Sequence, residues 1–511
     1  MINRRKFLKN FLLGSSALTI GSVSQLGMIR SALAAQQTEF SDYKALVCVL
    51  LGGGNDSLNM LVPMAESGSY AYSDYQLARE DLAIANNRKN VSDFYSNNQL
   101  HTSPYPKKTT EAYRDGVFSL AGQNNIGVNS LMPELARLIN AKKLSIIANA
   151  GNLITPLTKE DYLSKNVALP PFLFAHNHQV RALFTGWGDN LQAKGWAGRL
   201  ADDWIKGGPA ALSQMGLNIS YAGASRLQEG NITIPSILPT SNIPKHYDLE
   251  TSNNRRDTFN QLMNVETNHY FDHLYKDKIV SSVTNMEIIR DAWNGAGDPF
   301  YGMTDSYGEP LFNIPKAAEV ELDSNPSGQL IKQLKAVAKM IHLGKTTQTL
   351  GTNRQIFYVT LSGFDTHSSQ NSNHPALLRG LSLALDKFNR AMNHLGAEKE
   401  VALFTVSDFG RTVRSNKGGT DHAWGSHSLV MGGDLNGGVV GTLPDISLGG
   451  NDDVAKKGHL LPSIGQDQVH ATLASWFGVE DPLIRKLFPN IPNFTSGAQQ
   501  SSAYLDLFKS V

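Results

Sequence analysis

The stretch LLGGGNDSLN, residues 50–59, decides how this chain folds. The residues before it, 44–51, are apolar and partly β-branched, which predicts a strand that is covered on both faces. Glycines at the end of such a strand let the backbone turn sharply and approach another segment closely. The polar residues that follow then lie at the carboxyl edge of a sheet, which is where open α/β sheets bind ligands.

The first 34 residues have the features of an export signal and are predicted to lie outside the fold. A basic start that contains Arg4 and Arg5 precedes a short apolar run, and residues 32–34, Ala-Leu-Ala, form a small-residue cleavage site. This start resembles a twin-arginine export signal; an ordinary secretory signal or a membrane anchor is the alternative. The apolar run is short and diluted by Gly and Ser, which argues against a membrane span.

This signal also sets expectations for location and partners. The twin-arginine export machinery is a predicted partner, and the mature protein is predicted to be periplasmic or secreted from a bacterium, without a stable membrane span. Because this route carries folded proteins, often with a cofactor already bound, it also favours a metal or another prosthetic group.

Charge and cysteine content exclude several classes of protein. The chain has 46 basic and 45 acidic residues, and the signal holds five of the basic residues and no acidic one, so the mature chain is slightly acidic. The sequence contains no basic patch of the kind that binds nucleic acids. The single cysteine, Cys48, lies in the first predicted strand, so no intramolecular disulfide forms and no iron–sulfur cluster is expected. The glycines at 52–54 lack the spacing of a dinucleotide-binding loop.

Periodicity predicts an α/β fold in which a mainly parallel sheet is sandwiched by helices. One domain is expected over residues 41–505, and the polar, weakly periodic stretch at about 205–325 is interpreted as a mid-chain insertion or cap. The predicted strands are 44–51, 144–150, 355–361, 400–407 and 427–431, and the predicted helices are 130–141, 328–343, 375–395 and 468–477.

Acidic residues and histidines lie at the ends of four predicted strands. They are Asp56 after the first strand, Asp365 and His367 after 355–361, Asp408 after 400–407, and Asp421 and His422 before 427–431. Because strand ends of a parallel sheet share one edge, these side chains are expected to converge. Carboxylates and imidazoles are ligands of divalent metals, so the set predicts a site for Zn or Mn, with Ca or Mg as further options.

Each of these residues also has a purely structural interpretation. Asp56 follows a glycine turn, as the N-cap of a helix does. Asp408 can pair with Arg411 or Arg414, and the pair Asp421–His422 can belong to an Asx turn. The prediction of a metal site therefore rests on four clusters of ligand-type residues occurring together.

Four motifs follow the twin-arginine signal in order: Gly52-Gly-Gly-Asn-Asp56-Ser-Leu-Asn59, Gly363-Phe-Asp365-Thr-His367, Ser407-Asp-Phe-Gly-Arg411 and Gly419-Thr-Asp-His422. Together they resemble the DUF1501 family of exported bacterial proteins, in the alkaline phosphatase/sulfatase-like superfamily. The resemblance implies an alkaline phosphatase-like fold over most of the mature chain and metals held at strand ends. It assigns metal ligation to positions matched by Asp56, Asp365, His367, Asp408 and His422.

The chain departs from the superfamily pattern at two places. Phe409 occupies the position of a metal-binding His, for which Asp421 would have to compensate. The stretch Phe174–Gly186 resembles the helix that carries the sulfatase nucleophile, but Ala175 has no hydroxyl group. His176, Asn177 and His178 are therefore candidates for metal or substrate binding, with N-capping or packing as the alternative.

The sequence thus predicts an exported, metal-dependent hydrolase-like protein that acts on a phosphate or sulfate ester, as a small molecule or within a polymer. Arg411 is a candidate for neutralising the anion, because a guanidinium matches a phosphate or sulfate fork. The alternative is a non-catalytic family member that binds an envelope polymer or a protein partner. An exported oxidoreductase is disfavoured by the lack of cysteine and dinucleotide motifs.

Overall fold

The computed structural model describes residues 40–98, 113–208, 216–243, 252–265, 270–347, 350–495 and 502–509. The export signal predicted for residues 1–34 lies outside these ranges. Of the helices within them, none combines the length and the apolar character needed to cross a membrane.

The described chain contains both short and long strands. The strands are β1 (Lys44–Gly52), β2 (Leu61–Pro63), β3 (Arg88–Lys89), β4 (Val117–Leu120), β5 (Gln123–Asn129), β6 (Leu144–Gly151), β7 (Asn218–Ser220), β8 (Ser236–Ile237), β9 (Arg354–Ser362), β10 (Val401–Ser407), β11 (Arg411–Ser415), β12 (Thr420–His422), β13 (Ser426–Gly432), β14 (Gly438–Val440) and β15 (Ile464–Gly465).

The helices include the four predicted from periodicity. They are α1 (Ser57–Met60), α2 (Tyr72–Arg79), α3 (Val91–Asn98), α4 (Pro133–Asn140), α5 (Lys159–Ser164), α6 (His176–Thr185), α7 (Trp196–Trp204), α8 (Asn253–Met263), α9 (Tyr270–Gly295), α10 (Ala317–Val320), α11 (Gly328–Thr346), α12 (Gln370–His394), α13 (Gln466–Phe477), α14 (Asp481–Leu487) and α15 (Ile491–Thr495). Two short 3₁₀ helices cover Glu80–Leu82 and Arg226–Gln228.

The central sheet has the strand order β14-β6-β13-β10-β1-β9-β7-β8, and β15 also pairs with β6. Neighbouring strands are parallel except at β13, which runs antiparallel to both β10 and β6. The beginning of β13 therefore lies at the same edge as the ends of the parallel strands. A mixed sheet with one reversed strand still brings all the predicted clusters to one edge.

Apolar side chains cover both faces of this sheet, as the unbroken apolar run of β1 requires. Alternate residues of β1 enter different cores: Ala45, Val47 and Val49 pack on one face, and Leu46 and Cys48 pack on the other. The first core includes α11 and α12, and the second includes α6, α7, α13 and α14. The predicted α/β class, with a mainly parallel sheet between helices, is confirmed.

Two details differ from the sequence-based expectations. The stretch interpreted as an insertion, 205–325, contains β7 and β8, so it contributes two strands to the central sheet. The helix predicted from residue 375 begins at Gln370, and Pro375 lies inside it. Proline suggested a helix start at 375, but the additional residues are helical and carry the Gln370 side chain to the sheet edge.

The glycine run after β1 is required by close backbone packing. Gly53 has φ +114°, and a Cβ placed on it would lie 2.4 Å from the backbone N of Asp365. Gly54 has φ +82°, and its Cβ would lie 2.7 Å from the ring of Phe409. The turn after β1 thus presses against the segments that follow β9 and β10.

We expect Gly53→Ala to lower the free energy of unfolding by about 3–5 kcal/mol, because a positive φ and an overpacked contact are both penalised. Gly68→Ala is the matched control, since Gly68 has φ +91° but a Cβ placed on it would have no neighbouring atom within 4 Å. Gly68→Ala should lower the free energy of unfolding by about 1–2 kcal/mol. Chemical denaturation measures both values, and equal losses would contradict the close-approach argument.

A buried carboxyl group, Asp467 in the first turn of α13, links stability to pH. Its Oδ2 has no hydrogen-bond partner among the described residues. Burial raises the pKa of Asp467 to about 7; the charge of Arg199 opposes this shift and that of Asp189 adds to it. Between its unfolded pKa and about pH 7, the folded chain holds a proton that the unfolded chain has released.

The free energy of unfolding should therefore fall as the pH rises through this window, and Asp467→Asn should remove that fall. The free energy of unfolding of the wild type should fall relative to that of Asp467→Asn by at most about 1.4 kcal/mol for each pH unit. Denaturation curves at pH 4 to 8 test this, with Asp203→Asn on the exposed side of α7 as the control. Parallel profiles for the wild type and Asp467→Asn would show that the group does not titrate as inferred.

Candidate metal centre

Three parallel strands end side by side at the edge that carries the predicted clusters. In register, Leu51 of β1 lies opposite Ser407 of β10, and Gly52 lies opposite Ser362 of β9. The segments after β9 and β10 carry Asp365 and Asp408. The short hairpin of β11 and β12, in which Arg411 pairs with His422, completes this edge.

His176 reaches the same place as the first residue of α6. The loop before it contains Phe172 and Phe174, which both have a positive φ, +54° and +70°. Bulky residues rarely adopt this conformation, so the surrounding contacts must hold it. One such contact is the carbonyl of Phe174, which accepts a hydrogen bond of 2.8 Å from Nδ1 of His422.

Three imidazole rings and one carboxylate converge at this edge. The Nε2 atom of His422 lies 3.0 Å from Nε2 of His176 and 2.8 Å from Nε2 of His367. Oδ1 of Asp365 lies 3.1 Å from Nε2 of His367 and 3.4 Å from Nε2 of His422. Ligand atoms of His176, Asp365 and His422 all lie within 4.8 Å of one another.

The other ring nitrogen of each histidine faces an acceptor. Nδ1 of His176 lies 2.7 Å from Oδ2 of Asp408, and Nδ1 of His367 lies 3.3 Å from Oδ1 of Asp421. Nδ1 of His422 donates to the Phe174 carbonyl. Because carbonyl and carboxylate oxygens accept, Nδ1 of His176 and Nδ1 of His422 carry a proton and their Nε2 atoms face the cluster, whereas His367 faces a carboxylate oxygen with both ring nitrogens, Asp421 at 3.3 Å and Asp365 at 3.1 Å.

This donor set fits a metal ion. Three imidazole nitrogens and a carboxylate oxygen face one another at 2.8–3.4 Å, an arrangement that needs a proton or a cation between these atoms. Metal-ligating histidines characteristically donate their other N–H to a carboxylate or a carbonyl, as His176 and His422 do here. The group formed by His176, Asp365 and His422, with His367 adjoining it, can therefore bind a metal.

Two of the predicted ligands, Asp408 and Asp421, orient histidines. Besides contacting His176, Asp408 accepts a 3.1 Å hydrogen bond from the backbone N–H of Gly53. Asp421 accepts from Asn416 at 3.0 Å as well as contacting His367. Both carboxylates thus lie behind the rings, where they restrain ring orientation.

The electrostatics of the group favour a charged Asp365 beside a neutral His422. Burial opposes ionisation of Asp365, but the hydrogen bond and charge of Arg411 outweigh it and hold the pKa of this carboxyl below its ordinary value. Burial lowers the pKa of His422, and the nearby charge of Arg411 acts in the same direction. An ionised carboxylate and an unprotonated imidazole are the forms that ligate metals.

Arg411 has a different role from the one predicted. Its side chain is fully buried, with 0% exposure, so it cannot reach a ligand in solution. It donates to the carbonyls of Gly54, Thr420 and Phe364 at 2.8–3.1 Å, to that of Gly53, and to Oδ1 of Asp365 at 2.5 Å. The prediction that Arg411 neutralises a substrate anion is wrong, because its donors already bind the protein.

Asp56 does not belong to the converging group either. It caps α1 by accepting from the N–H of Asn59, which matches the alternative interpretation. Arg79 binds both carboxylate oxygens at 2.7 and 2.8 Å, and Gln370 donates to Oδ2 at 2.5 Å. Burial disfavours the ionised form, but the charges of Arg79 and His374 and these hydrogen bonds hold the pKa of Asp56 low. Its oxygens are thus occupied by an internal ion pair.

The remaining candidates border an open cleft of about 850 Å³ beside the cluster. His176, Asn177 and His178 line it together with Asp365 and Asp408. Asn177 is exposed, and the ring of His178 packs on Phe172 with 4.3 Å between the ring centres. Neither Asn177 nor His178 belongs to the converging group.

Phe409 forms an apolar wall behind the cluster. Its ring lies 4.7 Å from the ring of His176 and 4.5 Å from that of His422, measured between centres. The imidazole of His176 lies beside Phe409, whereas Asp421 contacts His367. Ala175 is the N-cap residue of α6 and offers no hydroxyl.

Sequence reasoning missed one cleft residue, Arg181. It lines the cleft and is exposed. The helical spacing from Asn177 and His178 to Arg181 is a signal that could have found it, because residues three and four apart share a helix face.

A family model matches part of the chain, in line with the resemblance seen in the motifs. Residues 343–481 match the family model described as "Protein of unknown function (DUF1501)". The matched segment contains Asp365, His367, Asp408 and Asp421–His422, whereas Asp56 and His176 lie before it. No curated protein matches the chain.

Three solved structures are distantly similar to the chain. Ps i-CgsB in complex with k-i-k-neocarrahexaose is 9% identical over 87% of this chain and 74% of that chain, with a TM-score of 0.33. Ps i-CgsB alone is 9% identical over 89% and 77%, with a TM-score of 0.32. The PsFucS1 sulfatase from Pseudoalteromonas sp. is 10% identical over 90% and 73%, with a TM-score of 0.31. These similarities are weak, and nothing about this chain's activity or ligands follows from them.

We expect Asp56→Ala to lower the free energy of unfolding by about 3–5 kcal/mol, since it leaves the buried Arg79 guanidinium unpaired. Asp115→Ala is the matched control, because Asp115 is 55% exposed in its ion pair with Lys89 and should contribute about 0–1 kcal/mol. Urea denaturation compares the two. A loss for Asp56→Ala no larger than that of the control would refute the structural role.

Proposed function

We propose that this chain, whose residues 343–481 carry the DUF1501 pattern, is an exported, metal-dependent hydrolase of phosphate or sulfate esters. The observation that carries this proposal is the convergence of three imidazole Nε2 atoms and the Asp365 carboxylate beside an open cleft. Export by the twin-arginine machinery to the periplasm is part of the proposal and is based on residues 1–34.

The donor chemistry favours zinc or manganese. Imidazole nitrogens suit transition metals and zinc, whereas calcium and magnesium are bound mainly by oxygen ligands. His176, His422 and Asp365 would hold the ion, with His367 next to them. When bound, a divalent ion supplies Lewis acidity, which polarises an ester oxygen and lowers the pKa of water.

The chain's own residues prepare this site for an anion. The Phe174 carbonyl and Asp408 accept from Nδ1 of His422 and of His176 and so keep these two imidazoles in the ligating tautomer, and Asp421 contacts Nδ1 of His367. Helix α6 begins at the cluster and has no side-chain cap. The N–H of His178 already donates to the Ala175 carbonyl, so the N–H groups of His176 and Asn177 are those that can meet water or an anionic ligand, which the helix dipole also favours.

The cleft has a single side-chain hydroxyl group among the described residues that line it, which favours water as the attacking group. Of the residues that line the cleft, Ser362 alone carries a hydroxyl. Its Oγ lies 3.5 Å from Oγ1 of Thr360 and contacts no imidazole or carboxylate among the described residues. A serine without an adjacent base is a weak nucleophile. We infer that Ser362→Ala keeps the activity.

A non-catalytic role, in which the chain binds an envelope polymer or a partner protein, is the second candidate. Ala175 at the start of α6 favours it, because no hydroxyl stands where the superfamily pattern has its nucleophile. The two candidates differ in one respect: a binding protein retains the metal and the cleft without turning over an ester.

Metal analysis tests the premise that both candidate functions share, namely that the cluster binds a divalent metal ion. We expect about one divalent ion per chain in mature protein purified from the periplasm without chelators, and at least a tenfold lower content in His422→Ala and Asp365→Ala, because each removes one ligand. His394→Ala is the control, since His394 lies at the end of α12, outside the cluster. Elemental mass spectrometry gives the count, and metal-free wild-type protein would refute the hydrolase proposal.

Turnover separates the two candidates. Metal-loaded protein is incubated with p-nitrophenyl phosphate and p-nitrophenyl sulfate, and the release of p-nitrophenol is followed in the wild type, Ser362→Ala and His422→Ala. Hydrolysis in the first two and not in the third supports the proposal. Bound metal without hydrolysis of either ester would favour the binding role.

A further inference from the structure

The cleft beside the cluster has an uneven distribution of charge. Two carboxylates line it, but both are compensated: Asp365 by Arg411, and Asp408 by the Gly53 N–H and Nδ1 of His176. The cation that compensates Asp365 is buried and does not face the cleft. Arg181 is a cleft-lining cation, and it is exposed.

The surroundings of Arg181 carry an excess of positive charge. No salt bridge of Arg181 is seen in the part of the chain that the structure describes. Its charge acts on Glu229, but that carboxylate already contacts Lys194 and accepts from Arg226 at 2.9 Å. Three cations thus share one carboxylate, so the guanidinium of Arg181 is left with donors for a ligand.

The helix fixes the separation between this charge and the metal cluster. His176 and Arg181 are both on α6 and are five residues apart. At the rise and turn of a helix, this spacing is about 7.5 Å along the axis and about 140° around it, so the two side chains leave α6 on different sides and are related through the cleft that both line. A ligand that contacts both therefore needs two anionic groups several bonds apart.

We propose that Arg181 forms a second anion-binding subsite, so that the substrate carries a phosphate, sulfate or carboxylate group in addition to the ester at the metal cluster. This inference rests on the proposed function, because the cluster must hold the first anion. A guanidinium suits the role, since its planar fork binds such groups through two parallel hydrogen bonds. The substrate class is accordingly a polyanionic ester, such as a chain with repeated charged groups.

Non-hydrolysable probes test the subsite by binding alone. Butane-1,4-bisphosphonate and butylphosphonate are titrated into zinc-loaded protein by isothermal calorimetry, with propane and hexane bisphosphonates to vary the span. The variants are Arg181→Gln and Arg181→Lys. Arg485→Gln is the control, since Arg485 is an exposed arginine that pairs with Asp481 on α14.

We expect wild type and Arg485→Gln to bind the best bisphosphonate about 10–100-fold more tightly than butylphosphonate, as one charge-assisted contact allows. Arg181→Gln should abolish this preference and leave the affinity for butylphosphonate unchanged, and Arg181→Lys should keep part of it. Retention of the preference in Arg181→Gln would overturn the subsite.

The same titrations distinguish the failure of this inference from that of the proposed function. Equal affinities for mono- and bisphosphonates in the wild type would overturn the second subsite and leave the metal-centred anion site standing. If zinc-loaded wild type bound neither class of probe, the anion site itself would be refuted, and the subsite with it.

Discussion

The buried guanidinium of Arg411 holds the candidate site together. It donates to the carbonyls of Gly53 and Gly54, of Phe364, and of Thr420, and it binds Asp365. These contacts join the turn after β1, the segment after β9 and the hairpin of β11 and β12. A charge buried in this way is tolerated only when its donors are satisfied, so the three loops can adopt only arrangements that surround it. The position of the Asp365 ligand follows from that constraint.

A second polar network supports the same loops from the other side. Gln370 donates to the Asp56 carboxylate, and its Oε1 accepts from Thr366 and Thr420 at 3.1 and 3.0 Å. Thr366 lies between Asp365 and His367, and Thr420 precedes Asp421. The ion pair of Asp56 with Arg79 is therefore connected to the cluster through one glutamine. Rigid support of this kind is what a metal site needs, because ligands that drift by a fraction of an ångström lose affinity.

The prediction that polar residues at strand ends converge identified much of the cluster, since the apolar runs before Asp365 and Asp408 were recognisable as strands. The same prediction failed for residues whose function depends on how deeply they are buried. Asp56 and Arg411 have the residue types of a ligand and an anion binder, but each found an internal partner of opposite charge, Arg79 and Asp365. It also gave no way to rank His176 above Asn177 and His178, since that depends on the turn at Phe172 and Phe174. Both Phe residues have a positive φ that sequence patterns do not predict.

By itself, the sequence determined the alternation of apolar strands and helices, the sheet edge that collects acids and histidines, and the need for glycine after β1. These properties are local: periodicity sets which faces are buried, and a missing Cβ sets which turns are possible. Only the tertiary structure decided that β13 runs antiparallel, that three Nδ1 atoms face acceptors, and that Arg181 rather than Arg411 meets the cleft. Those outcomes depend on contacts between residues that are hundreds of positions apart, and a pattern within one segment holds no information about its distant partner.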